Sequence, residues 1–293
     1  MTAGTAGAPD ATRLARVALV VEGGGMRGFY GAGALACLRD HGVVFPYVIG
    51  NSSGALNAVR YVADAPAPDF AALARVPARS LLNPRGLVRP HEGLLSINAL
   101  LRALVRDACD RVAGRGTLLV PATDALTGDL VWWDVATCAT GAQVYERVVA
   151  SSSIPVVMPL ARVDGRVCAD GGIRDSIPVL RALADGRTRA VLILSRPRGY
   201  RKPPQHLELY LRAWLRPYPR LRAAMLARHL RYNESMALVE RMEDAGDAFA
   251  LRPTAQRVAR FQYAPDKFRL DFQDGYQACE RALPALLAFV GRA

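Results

Sequence analysis

Tyr47-Val48-Ile49-Gly50-Asn51-Ser52-Ser53-Gly54-Ala55-Leu56-Asn57-Ala58-Val59 is the stretch on which the reading of the chain turns. The apolar run Tyr47–Ile49 reads as the end of a strand, and Ala55–Val62 reads as a helix. Between them lies Gly-x-Ser-x-Gly with Ser52 at its centre. A serine on a sharp strand-to-helix turn has its hydroxyl pushed out of the sheet, where a substrate can reach it. Glycines at 50 and 54 allow the tight backbone and leave room for an acyl group. A frame centred on Ser53 fails, because it needs glycine at Asn51 and Ala55. Taken alone, the motif also fits an ordinary Gly/Ser-rich turn with no chemistry.

Upstream, Val17-Ala18-Leu19-Val20-Val21 is short, continuous and apolar, as in a strand buried on both faces. It runs into Glu22-Gly23-Gly24-Gly25-Met26-Arg27-Gly28 and then a helix over about Phe29 to Asp40, ended by His41-Gly42. A glycine-rich loop between strand and helix presents amides to an anion, either a phosphate or the transient oxyanion of acyl transfer. Gly23, Gly25 and Gly28 satisfy the dinucleotide-binding spacing, so that reading stays open. It expects an acidic residue at the end of the second strand, and here that strand ends in the Ser52 turn instead. A Walker loop is excluded, since no Gly-Lys-Ser/Thr follows.

The 293 residues can bury a full core, and about half of them (51%) are apolar, which excludes a disordered chain. Formal net charge is +12, carried almost entirely by arginine; Lys202 and Lys267 are the two lysines. No block of five consecutive basic residues occurs, so nucleic acid is not expected and the arginines read as scattered over a solvated surface. Cys37, Cys109, Cys138, Cys168 and Cys279 form no C-x-x-C pair and read as free thiols of a cytoplasmic protein. No metal or other cofactor is indicated. Residues 1–15 read as a disordered tail without the order of a signal peptide, and no apolar run suits a transmembrane helix.

Along the middle of the chain, Asp69–Arg79 and Leu94–Asp110 suggest helices, with Ser96 as a cap for the second. Thr117–Ala122 and Leu130–Val135 suggest strands joined by a turn at 124–129, with Trp132 and Trp133 on opposite faces and at least one of them in the core. Arg162–Val167 reads as a hairpin turning at Asp164-Gly165, which delivers Cys168-Ala169-Asp170-Gly171-Gly172. An acid before glycines is often only a turn former, but a serine nucleophile needs a base. Histidine is the usual one. His41 reads as a helix cap and His91 as loop, and His206 or His229 would complete the order Ser-Asp-His. Direct deprotonation by Asp170 needs a dry site, since an unperturbed Asp titrates at about 3.9.

Gly23-Gly24-Gly25-Met26-Arg27-Gly28, then Gly50-Asn51-Ser52-Ser53-Gly54, then Asp170-Gly171-Gly172 resemble, in that order, the three motifs of patatin-like phospholipases. Ala150–Pro155 and Ala122-Thr123-Asp124 with Thr127-Gly128 are similar to further stretches of that family. The resemblance covers roughly Val17 to Pro178. It implies a three-layer α/β/α fold with a mainly parallel sheet and a Ser52–Asp170 dyad. It also implies an oxyanion hole around Gly23, Gly24, Gly25, Arg27 and Gly28. Gly50, Gly54, Gly171 and Gly172 would support the motifs, and no calcium or other cofactor would be used. Arg27 would brace its loop or attract an anionic head group, with bracing the favoured role.

Beyond the core, taken as 16–195, Arg196–Pro204 is a basic, proline-rich linker. Helices are expected at His206–Leu215, Arg220–Ala245 and Gly275–Val290, with a strand at Phe249–Arg252, giving a mainly helical extension over 196–293. In Arg220–Ala245, Leu221, Met225, Leu230, Met236, Leu238 and Met242 alternate with arginines; such a helix either covers the sheet or lies on an anionic membrane surface. The composite reading is a lipid acyl hydrolase cleaving carboxylic esters, with a lipid or acyl-ester substrate. A soluble esterase with a histidine base and a nucleotide- or membrane-binding module remain as alternatives.

Overall fold

The computed structural model describes residues 11–87, 89, 92–204 and 208–292. Helices α1 (Ala11–Leu14), α2 (Gly28–Asp40), α3 (Ser53–Val62), α4 (Phe70–Arg75), α5 (Asn98–Cys109), α6 (Gly141–Ser152), α7 (Val179–Ala184), α8 (Glu208–Trp214), α9 (Pro219–Leu226), α10 (Arg228–Ala245) and α11 (Pro265–Gly291) enclose one sheet. Its strands are β1 (Val17–Val21), β2 (Tyr47–Gly50), β3 (Thr117–Asp124), β4 (Leu130–Asp134), β5 (Ala161–Val163), β6 (Arg166–Asp170), β7 (Arg189–Ile193) and β8 (Ala248–Leu251).

The sheet runs β5-β6-β3-β2-β1-β7-β8, with β4 on the other edge of β3. β8, β7, β1, β2 and β3 are mutually parallel; β4 and β6 run antiparallel to β3. The apolar runs explain the three layers. In β1, Val17, Leu19 and Val21 face one core cluster while Ala18 and Val20 face the other, and β7 alternates likewise. Such strands must be covered on both sides. The first cluster takes in α2, α3, α5, α6 and α11; the second takes in α7 and α10.

Helix α11 lies against α2 at backbone distance. A Cβ on Gly33 would fall 1.9 Å from the Phe272 carbonyl oxygen, and one on Gly275 equally close to that of Tyr30. Asp271, buried in this contact, accepts a hydrogen bond from the Tyr30 amide at 3.1 Å. Burial raises its carboxyl to about 6. The folded state therefore keeps a proton that the unfolded chain releases near pH 4, so this group takes stability away as pH rises from about 4 to about 6, and the loss is complete above 6. Asp271→Asn keeps the acceptor and removes the charge. At pH 7.5 it should stabilise the fold by about 1–2 kcal/mol. Thermal unfolding at pH 5 and pH 7.5 checks this: the gain should shrink at the lower pH.

Several expectations are corrected. Ala11–Leu14 is a helical turn with Leu14 buried in the core, so this part of the expected tail is ordered; residues 1–10 lie outside the described residues. Ser96 does not cap α5, which starts at Asn98; its amide donates to the Leu81 carbonyl at 2.9 Å beside a Leu82–Leu95 bridge. Trp132 and Trp133 do lie on opposite faces, but both are half-buried. The helix expected over Arg220–Ala245 breaks at Ala227 into α9 and α10. The break lets two apolar faces reach different cores: Leu221 and Met225 pack near Ile173, whereas Met236 and Met242 pack on the sheet. Of the six apolar residues read as a possible membrane face, Leu230 is exposed, Leu238 is half-buried and four are buried. No described helix is long and apolar enough to cross a membrane.

Candidate active site

Strand β3 sets the geometry. On one of its edges, β2 pairs with residues 117–119 and β6 pairs with 122–124 from the opposite direction. The carboxyl ends of β2 and β6 therefore run toward each other on the same edge. Ile49 stands opposite Leu119 and Asp170 opposite Ala122. Ser52, just past the end of β2, is brought to the region where β6 ends in Asp170.

Ser52 occupies φ 54°, ψ −126°, a conformation unfavourable for any residue with a Cβ. The surroundings hold it there. Its amide donates to Ser151 Oγ at 3.0 Å, and the Gly54 amide donates to the Asn51 carbonyl at 2.7 Å. A Cβ on Gly54 would stand 2.3 Å from the Val21 carbonyl oxygen, so glycine is required where α3 passes β1. Gly50 ends β2 against the same helix.

Asp170 is 1% exposed. Its amide donates to the Ser153 carbonyl at 2.8 Å, and its own carbonyl accepts from Thr123 Oγ1 at 2.9 Å. Oδ1 accepts from the Gly172 amide at 2.8 Å; Oδ2 is buried and has no partner. Gly171 and Gly172 pack on the Asn51 side chain, whose Nδ2 donates to the Asp175 carbonyl at 3.1 Å. The end of α6 thus holds both candidates, Ser151 in its last turn on Ser52 and Ser153, the residue after the helix, on Asp170. From the residues that serine run reads as a helix end, and beyond that only its resemblance to a stretch of the family marks it, because its role depends on β6 returning antiparallel to β3. Asp124 is a turn former: Oδ1 accepts from the amides of Leu126 and Thr127, and Oδ2 pairs with Arg166.

The glycine loop lies against the serine turn, with a Cβ on Gly23 meeting Ser52 Cβ at 2.8 Å. The Gly24 amide, expected to face an oxyanion, donates to Ser53 Oγ at 2.8 Å. The Met26 amide donates to the Arg260 carbonyl at 3.0 Å. Gly25 lies between them at φ +61° and lines a cavity with Gly28, Ser52 and Ser53. Arg27 is buried; desolvation first, then Arg196, lowers it to about 10.

Two apolar cavities flank the pair. The Ser52 cavity holds about 90 Å³ and is walled by Leu56, Leu95, Ile97, Leu100, Leu101 and Leu104. A larger one of about 360 Å³ reaches Asp170 and is lined by Leu211, Trp214, Met225, Arg228 and Arg260. They share Ile154, Val157, Arg260 and Phe261, and Phe261 is 50% exposed. Of the arginines read as solvated, Arg228 is buried and Arg260 half-buried at the Asp170 cavity, and no spacing in the sequence marked either one.

His41 and His229 each use Nδ1 on a carbonyl of their own chain segment, those of Cys37 and Leu226. Neither lines either of these two cavities. His91 and His206 lie outside the described residues. Among the described residues no cluster of three His, Cys, Asp or Glu side chains is placed to hold a metal ion.

The Ser52 turn, the glycine loop beside it and Asp170 at the end of β6 all fall within one matched stretch of the chain. The chain belongs to the patatin-like phospholipase family, whose model matches residues 19–183. Residues 218–291, from α9 through α11, match a domain of unknown function (DUF6363). Uncharacterized NTE family proteins of Mycobacterium bovis and Mycobacterium tuberculosis are 33% identical over 173 residues, 56% of this chain and 44% of theirs. The chain thus spans less than half the length of these curated relatives. The crystal structure of VipD from Legionella pneumophila aligns over 92% of this chain and 67% of its own, with 14% identity and a TM-score of 0.46.

Proposed function

We propose that this protein hydrolyses carboxylic esters of lipids through an acyl-enzyme on Ser52, with Asp170 as the base. The observation that carries the reading is the pairing of a serine in strained backbone at a cavity with a buried carboxylate whose Oδ2 lacks a partner. Asp170 takes the proton of Ser52 Oγ as that oxygen attacks the ester carbon. The tetrahedral oxyanion takes the Gly25 amide, since the neighbouring Gly24 and Met26 amides are occupied. Collapse returns the proton from Asp170 to the leaving alkoxide, which departs as the alcohol. Water then adds to the acyl-enzyme, gives its proton to Asp170 and releases the carboxylic acid with Ser52 restored. A well-placed oxyanion donor contributes about 3 kcal/mol to such a barrier.

The leucine-lined cavity supports an acyl chain in place of a small acid. Each buried methylene is worth about 0.8 kcal/mol. Hydrolysis of p-nitrophenyl esters tests this: kcat/KM for the octanoate should exceed that for the acetate by at least about tenfold. A preference for acetate assigns the site to small soluble esters instead. Phe261, half-exposed where the cavities meet, gives a lipid an apolar edge on which to enter.

A further inference from the structure

The cavity on the Asp170 side is apolar along its walls, but positive charge gathers at its Asp170 end. Arg228 is 8% exposed and fixed, with Nε donating to the Gly172 carbonyl and Nη2 to Ser176 Oγ at 3.3 Å. Arg260 lines the same cavity, and its Nε is buried without a partner. Arg27, Arg196 and Lys202 stand within electrostatic reach of these two, and Glu22 and Asp170 are the carboxylates that oppose them. Among the described residues none of the four arginines lies within ion-pair distance of a carboxylate, and neither does Lys202. Glu22 is itself occupied, accepting from the Ser195 amide at 2.6 Å.

Buried charge that the protein leaves uncompensated is costly, and an anion supplied by a ligand relieves it. Desolvation and the neighbouring arginines push Lys202 down to about 6, so at pH 7.5 the positive charge rests on the arginines; burial with Arg228 lowers Arg260 only to about 10. The chemistry of the reaction says which part of a substrate arrives here. Asp170 hands its proton to the leaving oxygen, so what is attached to that oxygen extends to the Asp170 side, away from the acyl cavity.

We propose that Arg228 and Arg260 form a subsite for a phosphate group carried by the leaving alcohol, so that the preferred esters are acyl glycerol phosphates. The proposal rests on the dyad reading above for its orientation. Guanidinium groups suit phosphate because their fixed donors match its oxygens. Both arginines come from the region matching the domain of unknown function, which acquires by this a role at the site.

Calorimetric titration of the Ser52→Ala protein with sn-glycerol 3-phosphate, glycerol and inorganic phosphate at pH 7.5 tests the subsite. The phosphoester should bind, glycerol should not, and inorganic phosphate should bind more weakly than the ester. Arg260→Gln and, separately, Arg228→Lys should each weaken the phosphoester at least tenfold in proteins whose thermal unfolding remains cooperative. Absence of phosphoester binding, or binding unchanged in the Arg260→Gln protein, overturns the proposal. Inorganic phosphate binding as tightly as the ester overturns the leaving-group assignment and makes the site one for a free anion. The titration uses a protein without the nucleophile, so a wild type inactive on every ester would sink the hydrolase reading and leave this result standing.

Discussion

Ser52→Ala is expected to lower ester turnover by at least about ten-thousand-fold while leaving the fold intact. Only the Oγ is removed. The amide of residue 52 keeps its bond to Ser151 Oγ, and alanine takes the same strained backbone at the same cost as serine. Unfolding free energy should change by less than about 1 kcal/mol, as for a substitution that deletes no packing. Loss of activity together with loss of cooperative unfolding would mean that Ser52 acts through structure. Turnover within tenfold of wild type would remove Ser52 from the nucleophile's role.

Asp170→Asn should cost about 10²–10⁴-fold in kcat, the usual share of a general base, with a much smaller change in KM. Asparagine can still accept from the Gly172 amide, as Oδ1 does, so the turn after β6 should persist. What it lacks is an atom that can hold a proton. The residue is buried, and its other oxygen has no partner to lose. Steady-state kinetics on a medium-chain ester distinguishes the cases. A fall in kcat at constant KM marks the base. Retained activity would transfer that role to a histidine, and His206→Ala and His229→Ala would then be the informative variants.

The central strands, the glycine loop and the Ser52 turn could be read directly because each is local. Val17–Val21 has no polar residue to expose, and Gly50 and Gly54 leave the chain little choice but a tight turn. Asp164-Gly165 was also local, a hairpin turn with both residues at positive φ. What the sequence concealed depends on distant partners. Nothing near Ser151 or Ser153 tells that one will hold the Ser52 amide and the other the Asp170 amide. That follows from β6 meeting β3 on the edge that β2 vacates. Ala227 is a good helix former, yet the helix breaks there because the apolar faces on its two sides serve separate cores. Arginine is usually solvated, so a composition rich in it reads as surface; Arg27 and Arg228 are buried because the fold closes α10 and the 252–264 segment over the Asp170 side.

The measurement that bears most directly on the dyad is covalent capture with a medium-chain alkyl fluorophosphonate, followed by intact-mass and peptide mass spectrometry. Wild type should gain one adduct, carried on Ser52 Oγ, with fluoride as the leaving group. Ser52→Ala should gain none, and Asp170→Asn should be labelled far more slowly. An adduct mapped to any other residue, or an unlabelled protein that still hydrolyses esters, would contradict the account.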